Sequence, residues 1–190
     1  MIKKIPIYIA LIFLSVSAAT AQKISTKSGI VTFQSNAVLK EISGLNEFLS
    51  CSIDLSSGEV HAEIPMDKFT FKEEMMQIVF QTDYLHTDKY PKAILNGRIE
   101  NLHNIKFSEM GMYNAQLKGN IEIHGKRHPF RCTGKINVTS KETMQVKANF
   151  PLILKMFDVI IPEHSAQDIA PKVEVSVDLL FYNENISIAK

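Results

Sequence analysis

The 190-residue chain has no tryptophan, only two cysteines, eight glycines and seven prolines, and its 21 basic residues face 20 acidic ones. Each shortage excludes a class of protein. Two cysteines allow at most one internal bridge, so a small disulfide-stapled scaffold is ruled out. So little Gly and Pro excludes a collagen-like or linker-dominated chain. A formal net charge of +1 leaves no positive field for a nucleic-acid binder held mainly by phosphates. What remains is an ordinary globular composition, 45% hydrophobic and 22% charged, which excludes bulk disorder. The length suits one domain with a core of its own.

One long apolar run is present, and it lies at the start. Lys3 and Lys4 precede an apolar stretch over residues 5–16, and Ala19-Thr20-Ala21 offers the small-x-small pattern that a signal peptidase accepts. Residues 1–21 therefore read as a cleaved signal peptide, with cleavage before Gln22. The run is short for a spanning helix, which needs about 20 apolar residues. No cysteine follows it, so a lipoprotein anchor is not expected. Loss of two lysines and no acid takes the charge from +1 to −1. The expectation is an exported, periplasmic protein with no stable membrane anchor, whose single domain occupies residues 22–190.

Within that domain the dominant pattern is strict alternation, the mark of strands with one buried face. Cys51, Ile53 and Leu55 share parity; Val60, Ala62 and Ile64 resume it after the turn Ser56-Ser57-Gly58-Glu59. Ala115, Leu117, Gly119, Ile121 and Ile123 alternate up to the turn His124-Gly125-Lys126, and Phe130, Cys132, Gly134, Ile136 and Val138 alternate after it. Val173, Val175, Val177, Leu179 and Phe181 do so near the end. One segment, about residues 71–81, changes period. There Phe71, Met75 and Val79 recur at helical spacing with Met76 and Phe80 beside them, and Thr70 with Glu73 offers a capping box. Many strands on hairpin-length turns with one short helix predict an all-β, antiparallel sheet curled into a barrel or a sandwich. About eight strands close a barrel whose bore is filled by side chains or holds one small ligand.

Five stretches resemble the YceI-like family. Residues 76–93, MQIVFQTDYLHTDKYPKA, are similar to its central signature, and residues 64–72, IPMDKFTFK, to the strand that leads into it. Residues 119–125, GNIEIHG, resemble its hairpin; FDVIIP at 157–162 and residues 173–179 resemble its closing strands. The sequence differs from the commoner pattern at Ile78-Val79, at His86 and at Lys126-Arg127-His128. The resemblance implies a single extended, lipocalin-like, antiparallel β-barrel of eight strands with a helix at one side. It also implies an isoprenoid or similar long-chain lipid held in the lumen.

A tunnel for such a chain needs a long apolar lining and few polar groups. The lining expected from parity and spacing is Phe33, Phe69, Met75, Val79, Phe80, Leu117, Ile121, Phe130, Phe150, Leu152 and Val175. Taken singly these read as core; the 11 phenylalanines and eight methionines of the chain supply the collective argument. Tyr84, His86 and Tyr90, with Asp83, Asp88 and Lys89 around them, are candidates for a lipid head group at the mouth. Six histidines carry no metal-ligand spacing, and the pair His124 and His128 straddles a turn, with His124 facing away from the inner side. No nucleophile elbow or phosphate loop is present, so neither an enzyme nor a cofactor site is expected. Cys51 and Cys132 are expected inward and unbridged. The flanks of such a barrel are compatible with a homodimer. The competing expectation is a ligand-free barrel, its lumen packed by its own side chains, that serves in interaction or stress response.

Overall fold

The computed structural model describes residues 22–182. The signal peptide expected over residues 1–21 lies outside them. The described residues form eleven strands: β1 (Lys23–Thr26), β2 (Gly29–Asn36), β3 (Glu41–Asn46), β4 (Ser50–Asp54), β5 (Glu59–Pro65), β6 (Thr70–Phe71), β7 (Lys92–Ile99), β8 (Gly111–Ile123), β9 (Lys126–Val138), β10 (Thr143–Ile153) and β11 (Lys172–Tyr182). One α-helix, α1 (Glu74–Val79), interrupts them. All strands belong to one antiparallel sheet in the order β1-β4-β5-β7-β8-β9-β10-β11-β2-β3-β6. No helix among the described residues is long and apolar enough to cross a membrane.

The sheet corrects the expectation of a closed eight-stranded barrel. It is a curled half-barrel of eleven strands whose ladder ends at β1 and β6. The extra strands arise where an extended stretch changes partner. At Lys27-Ser28 the chain kinks between β1, which pairs with β4, and β2, which pairs with β11. The kink is held by Thr26 Oγ1, which donates to the Leu180 carbonyl at 2.6 Å, and by the Leu180 N–H, which donates to the Ser28 carbonyl at 2.9 Å. Across the sheet, Asn46 at the end of β3 is fully buried; its Nδ2 donates to the Pro65 carbonyl at 2.7 Å and its Oδ1 accepts from the Phe48 N–H. A buried amide satisfied on both atoms fixes where β3 meets the end of β5.

Alternation becomes burial as expected along the central strands. Ala115, Ile121 and Ile123 of β8, Phe130, Ile136 and Val138 of β9, and Val173, Val175, Leu179 and Phe181 of β11 are all buried. Each such side chain removed from water contributes about 1.5–3 kcal/mol. β8 and β9 pair in register from Gly111–Val138 to Ile123–Lys126. Their two-residue turn places His124 at φ 51° and Gly125 at φ 70°, the paired left-handed conformation that matches strand twist. Asn96-Gly97 stays inside β7, where Gly97 lies directly opposite Gly119 of β8. The two backbones approach so closely that a methyl group on Gly119 would collide with the Asn96 carbonyl oxygen and the Gly97 Cα. Gly119→Ala therefore forces the strands apart and is expected to cost about 1–3 kcal/mol, read as a lowered denaturation midpoint.

Cys51 on β4 and Cys132 on β9 are free thiols, as expected. Burial pushes the Cys51 thiol up to about 12 and the Cys132 thiol to about 11. Since the thiolate is the reactive form, both are expected to resist a thiol reagent at pH 8 in the folded protein and to react fully once denaturant unfolds it.

Candidate functional site

The concave side of the sheet carries a cavity of about 150 Å³ whose exposed lining is wholly apolar. The sheet supplies Val31 and Phe33 from β2, Ile42 from β3, Ala93 from β7, Ile121 and Ile123 from β8, Phe150 and Leu152 from β10, and Val173, Val175 and Val177 from β11. The connection from β10 to β11 adds Leu154, Phe157, Val159 and Ile169. Its roof is the segment from Phe71 to Leu85, which contributes Phe71, Met76, Phe80, Tyr84 and Leu85. Ser35 is the polar exception on the sheet, and its Oγ is already occupied by the Ala170 N–H at 2.8 Å.

The roof differs from the expected helix over residues 71–81. Thr70 and Phe71 form β6 instead, and Thr70 Oγ1 donates to the Leu45 carbonyl at 3.1 Å rather than capping a helix. α1 occupies only Glu74–Val79, and Phe80–Tyr84 winds into a π turn closed by the Leu85 N–H donating to the Phe80 carbonyl at 3.0 Å. The extra residue per turn brings Phe80, Tyr84 and Leu85 to bear on the cavity together.

Of the eleven expected lining residues, Phe33, Phe69, Phe80, Ile121, Phe150, Leu152 and Val175 meet at this cavity. Met75, Val79, Leu117 and Phe130 do not line it. The helix is turned by one position, so Met76 and Phe80, an i and i+4 pair, face inward while Met75 is 69% exposed. Leu117 and Phe130 pack in the core instead, Phe130 edge-on to Phe150 at 4.8 Å. Phe157 and Val159 also line it; residues 157–162, expected as a closing strand, instead follow a 3-10 turn at Leu154–Phe157 with Asp158 left-handed at φ 53°.

Four phenylalanines occupy the roof side. Phe33 meets Phe69, Phe71 and Phe80 at centroid distances of 5.5, 5.6 and 5.5 Å, and Phe80 lies 4.9 Å from Phe71. They touch because Gly44 stands opposite Phe33 on one side and Phe71 on the other. A methyl on Gly44 would collide with the Phe33 ring.

The expected head-group residues lie in a row along the roof's trailing end. Tyr84 lines the cavity, His86 is exposed and Tyr90 is half-buried. His124, expected to face away, is half-buried because its left-handed turn position escapes strand parity. Its Nδ1 donates to the Phe157 carbonyl at 3.0 Å, its Nε2 meets His86 Nδ1 at 2.9 Å, and the Tyr90 ring packs edge-on against it. Beside them Lys126 hydrogen-bonds Asp158 at 2.8 Å, which holds the Asp158 carboxyl below the ordinary carboxylate range and the Lys126 ammonium above its own. No group of three or more His, Cys, Asp or Glu side chains suited to a metal ion occurs among the described residues.

Comparison with known proteins bears on this arrangement. A family model described as YceI-like domain matches residues 17–181. Among solved structures, the chain is similar to a polyisoprenoid binding domain from Saccharophagus degradans at TM-score 0.73 and 12% identity, covering 86% of this chain and 99% of that one. It is similar to BcnA of Burkholderia cenocepacia at TM-score 0.65 and 18% identity, covering 80% and 95%. A Campylobacter jejuni YCEI protein is similar at TM-score 0.54 and 14% identity, covering 83% and 85%. No match is found among curated protein sequences.

Phe80 touches three of the other aromatic rings of the roof. Phe80→Ala is expected to cost about 3–5 kcal/mol in urea denaturation and to enlarge the cavity, since a roof pinned at its edges does not collapse fully.

Proposed function

The chain belongs to the YceI-like family, and from that we propose that it is an exported carrier, working in the periplasm, that holds the hydrocarbon chain of an isoprenoid or similar long-chain lipid. The observation that carries the reading is the lining: an apolar cavity that presents no polar surface to its contents. Such a wall offers a ligand burial and nothing else, at about 0.8 kcal/mol per methylene. Any polar head belongs outside, along Tyr84, His86 and Tyr90. Export is supported by the sequence of residues 1–21, and the lipid class by the likeness to a polyisoprenoid binding domain. Binding rather than catalysis is the role this wall suits, because it exposes no polar atom to the cavity.

Size adds a condition. A cavity of about 150 Å³ takes a benzene-sized group, far less than a long chain. The roof from Phe71 to Leu85 must therefore move aside for a long ligand, because Phe33, Phe69, Phe71 and Phe80 pack against one another in the space beneath it. Those same rings favour the second reading, a ligand-free barrel with a self-packed lumen that acts through protein partners.

Extraction separates the two. The protein purified without detergent from an exporting host, extracted with organic solvent and analysed by mass spectrometry, is expected to yield one amphiphile per chain. Repeated absence, together with failure of added isoprenoids to bind, would select the self-packed reading.

A further inference from the structure

We propose that the hydrogen-bond chain from His86 through His124 to the Phe157 carbonyl is an acid-released latch that holds the roof over the cavity. The proposal rests on the cavity's being a ligand site and adds a control on access to it. The chain joins three separate elements. His86 directly follows Leu85 at the trailing end of the roof, His124 forms the β8–β9 turn, and Phe157 belongs to the β10–β11 connection. Leu85, Ile123 and Phe157 all line the cavity, so each link is one residue or none from its wall.

The protons follow from the partners. A carbonyl only accepts, so His124 Nδ1 carries a hydrogen, and neutral His124 then presents a lone pair at Nε2. His86 Nδ1 must be the donor in the 2.9 Å contact. That tautomer leaves His86 Nε2 bare at the surface. A first added proton goes to His86 Nε2 and leaves the contact intact, now as a stronger, charge-assisted bond. A second proton has only His124 Nε2 to go to. Two N–H groups then face each other, two cationic rings stand stacked with centroids 5.1 Å apart, and the bond is lost. Imidazoles as a class change charge between about pH 5 and 8.

Charged groups of both signs surround the pair. On the roof side lie Tyr84, Asp83, Asp88, Lys89 and Tyr90, with the Lys89 ammonium 5.2 Å from the Tyr90 ring. The hairpin brings Glu122, Lys126, Arg127 and His128, whose ring packs edge-on against Phe157 at 5.2 Å. The β10–β11 connection brings Lys155 and Asp158, the latter already engaged by Lys126. The other roof ties are the β3–β6 pairing at Phe71, the Phe33 ring against Phe71 and Phe80, the Lys40–Glu73 pair at 2.9 Å and Gln81 Nε2 donating to the Asp67 carbonyl. They hold the leading end and middle; at the trailing end the Tyr90 ring packs on His124 beside the hydrogen-bond chain.

The test needs no ligand. Amide exchange of Leu85, Thr87 and Tyr90, whose N–H groups bond within the roof's trailing end, is followed by NMR at pH 7.5 and pH 4.5, corrected for intrinsic exchange. Protection is expected to fall by about tenfold at the lower pH while β8–β9 amides stay protected. In His86→Gly, which accepts φ 42° and carries no donor, protection is expected to be low at both values. Imidazole nitrogen spectra of the unmodified protein at pH 7.5 are expected to show Nδ1–H on both rings. Unchanged protection in the unmodified protein, the same fall in His86→Gly, or an Nε2–H tautomer on His124 would overturn the latch. Release of N-phenyl-1-naphthylamine, followed by fluorescence, is expected to quicken with the same pH dependence. A roof that loosens in acid while this probe fails to bind at either pH would support the latch and count against the carrier reading alone.

Discussion

Phe33, Gly44 and Phe71 face one another across β2, β3 and β6 in a single register, and the missing side chain in the middle governs what lies above. With no Cβ at Gly44, the two rings meet over the strand at 5.6 Å, and Phe80 settles against both. The roof is thereby attached to the sheet by aromatic contact, which is broad and non-directional, with few fixed hydrogen bonds. Such an attachment holds a position while tolerating displacement, because rings that leave one another find apolar partners elsewhere in the cavity or on a ligand.

The polar groups divide accordingly. Inside, the wall is hydrocarbon and its one hydroxyl from the sheet is spent on a backbone amide. At the edge, the trailing end of the roof brings Tyr84, His86 and Tyr90 up to His124 of the β8–β9 turn. A wall of this kind would select by length and bulk, whereas on the proposed reading a polar head and the control of access would share the same small polar edge. A ligand whose head occupied that edge would compete with the contact between the two histidines.

How much of this was legible follows from the period of each segment. β8, β9, β10 and β11 announced themselves because every second residue is apolar or glycine over nine positions, and burial follows that parity. The short strands did not. β6 has two residues, and its Phe71 fits a helical stripe equally well, so periodicity assigned it to the helix. The helix carried two adjacent apolar stripes, Met75 with Val79 and Met76 with Phe80, and only the packing partner decides which faces in. The π turn after it has no sequence mark. His124 was misread for a different reason: parity holds only while the backbone is extended, and a left-handed turn residue points where its neighbours' alternation does not.

The ladder between β2 and β11 joins Gly29–Gln34 to Glu174–Leu179, so opposite ends of the domain are neighbours in the sheet. β8 and β9, by contrast, close on each other through two residues. Loop closure makes the second pairing early and the first late. β2 has its sheet partner about 140 residues away, and Phe33 belongs to that strand, so the aromatic platform of the roof rests on a pairing that only the last strand supplies. A chain cut short before residue 173 would lack that partner together with Val173, Val175 and Val177 of the cavity wall.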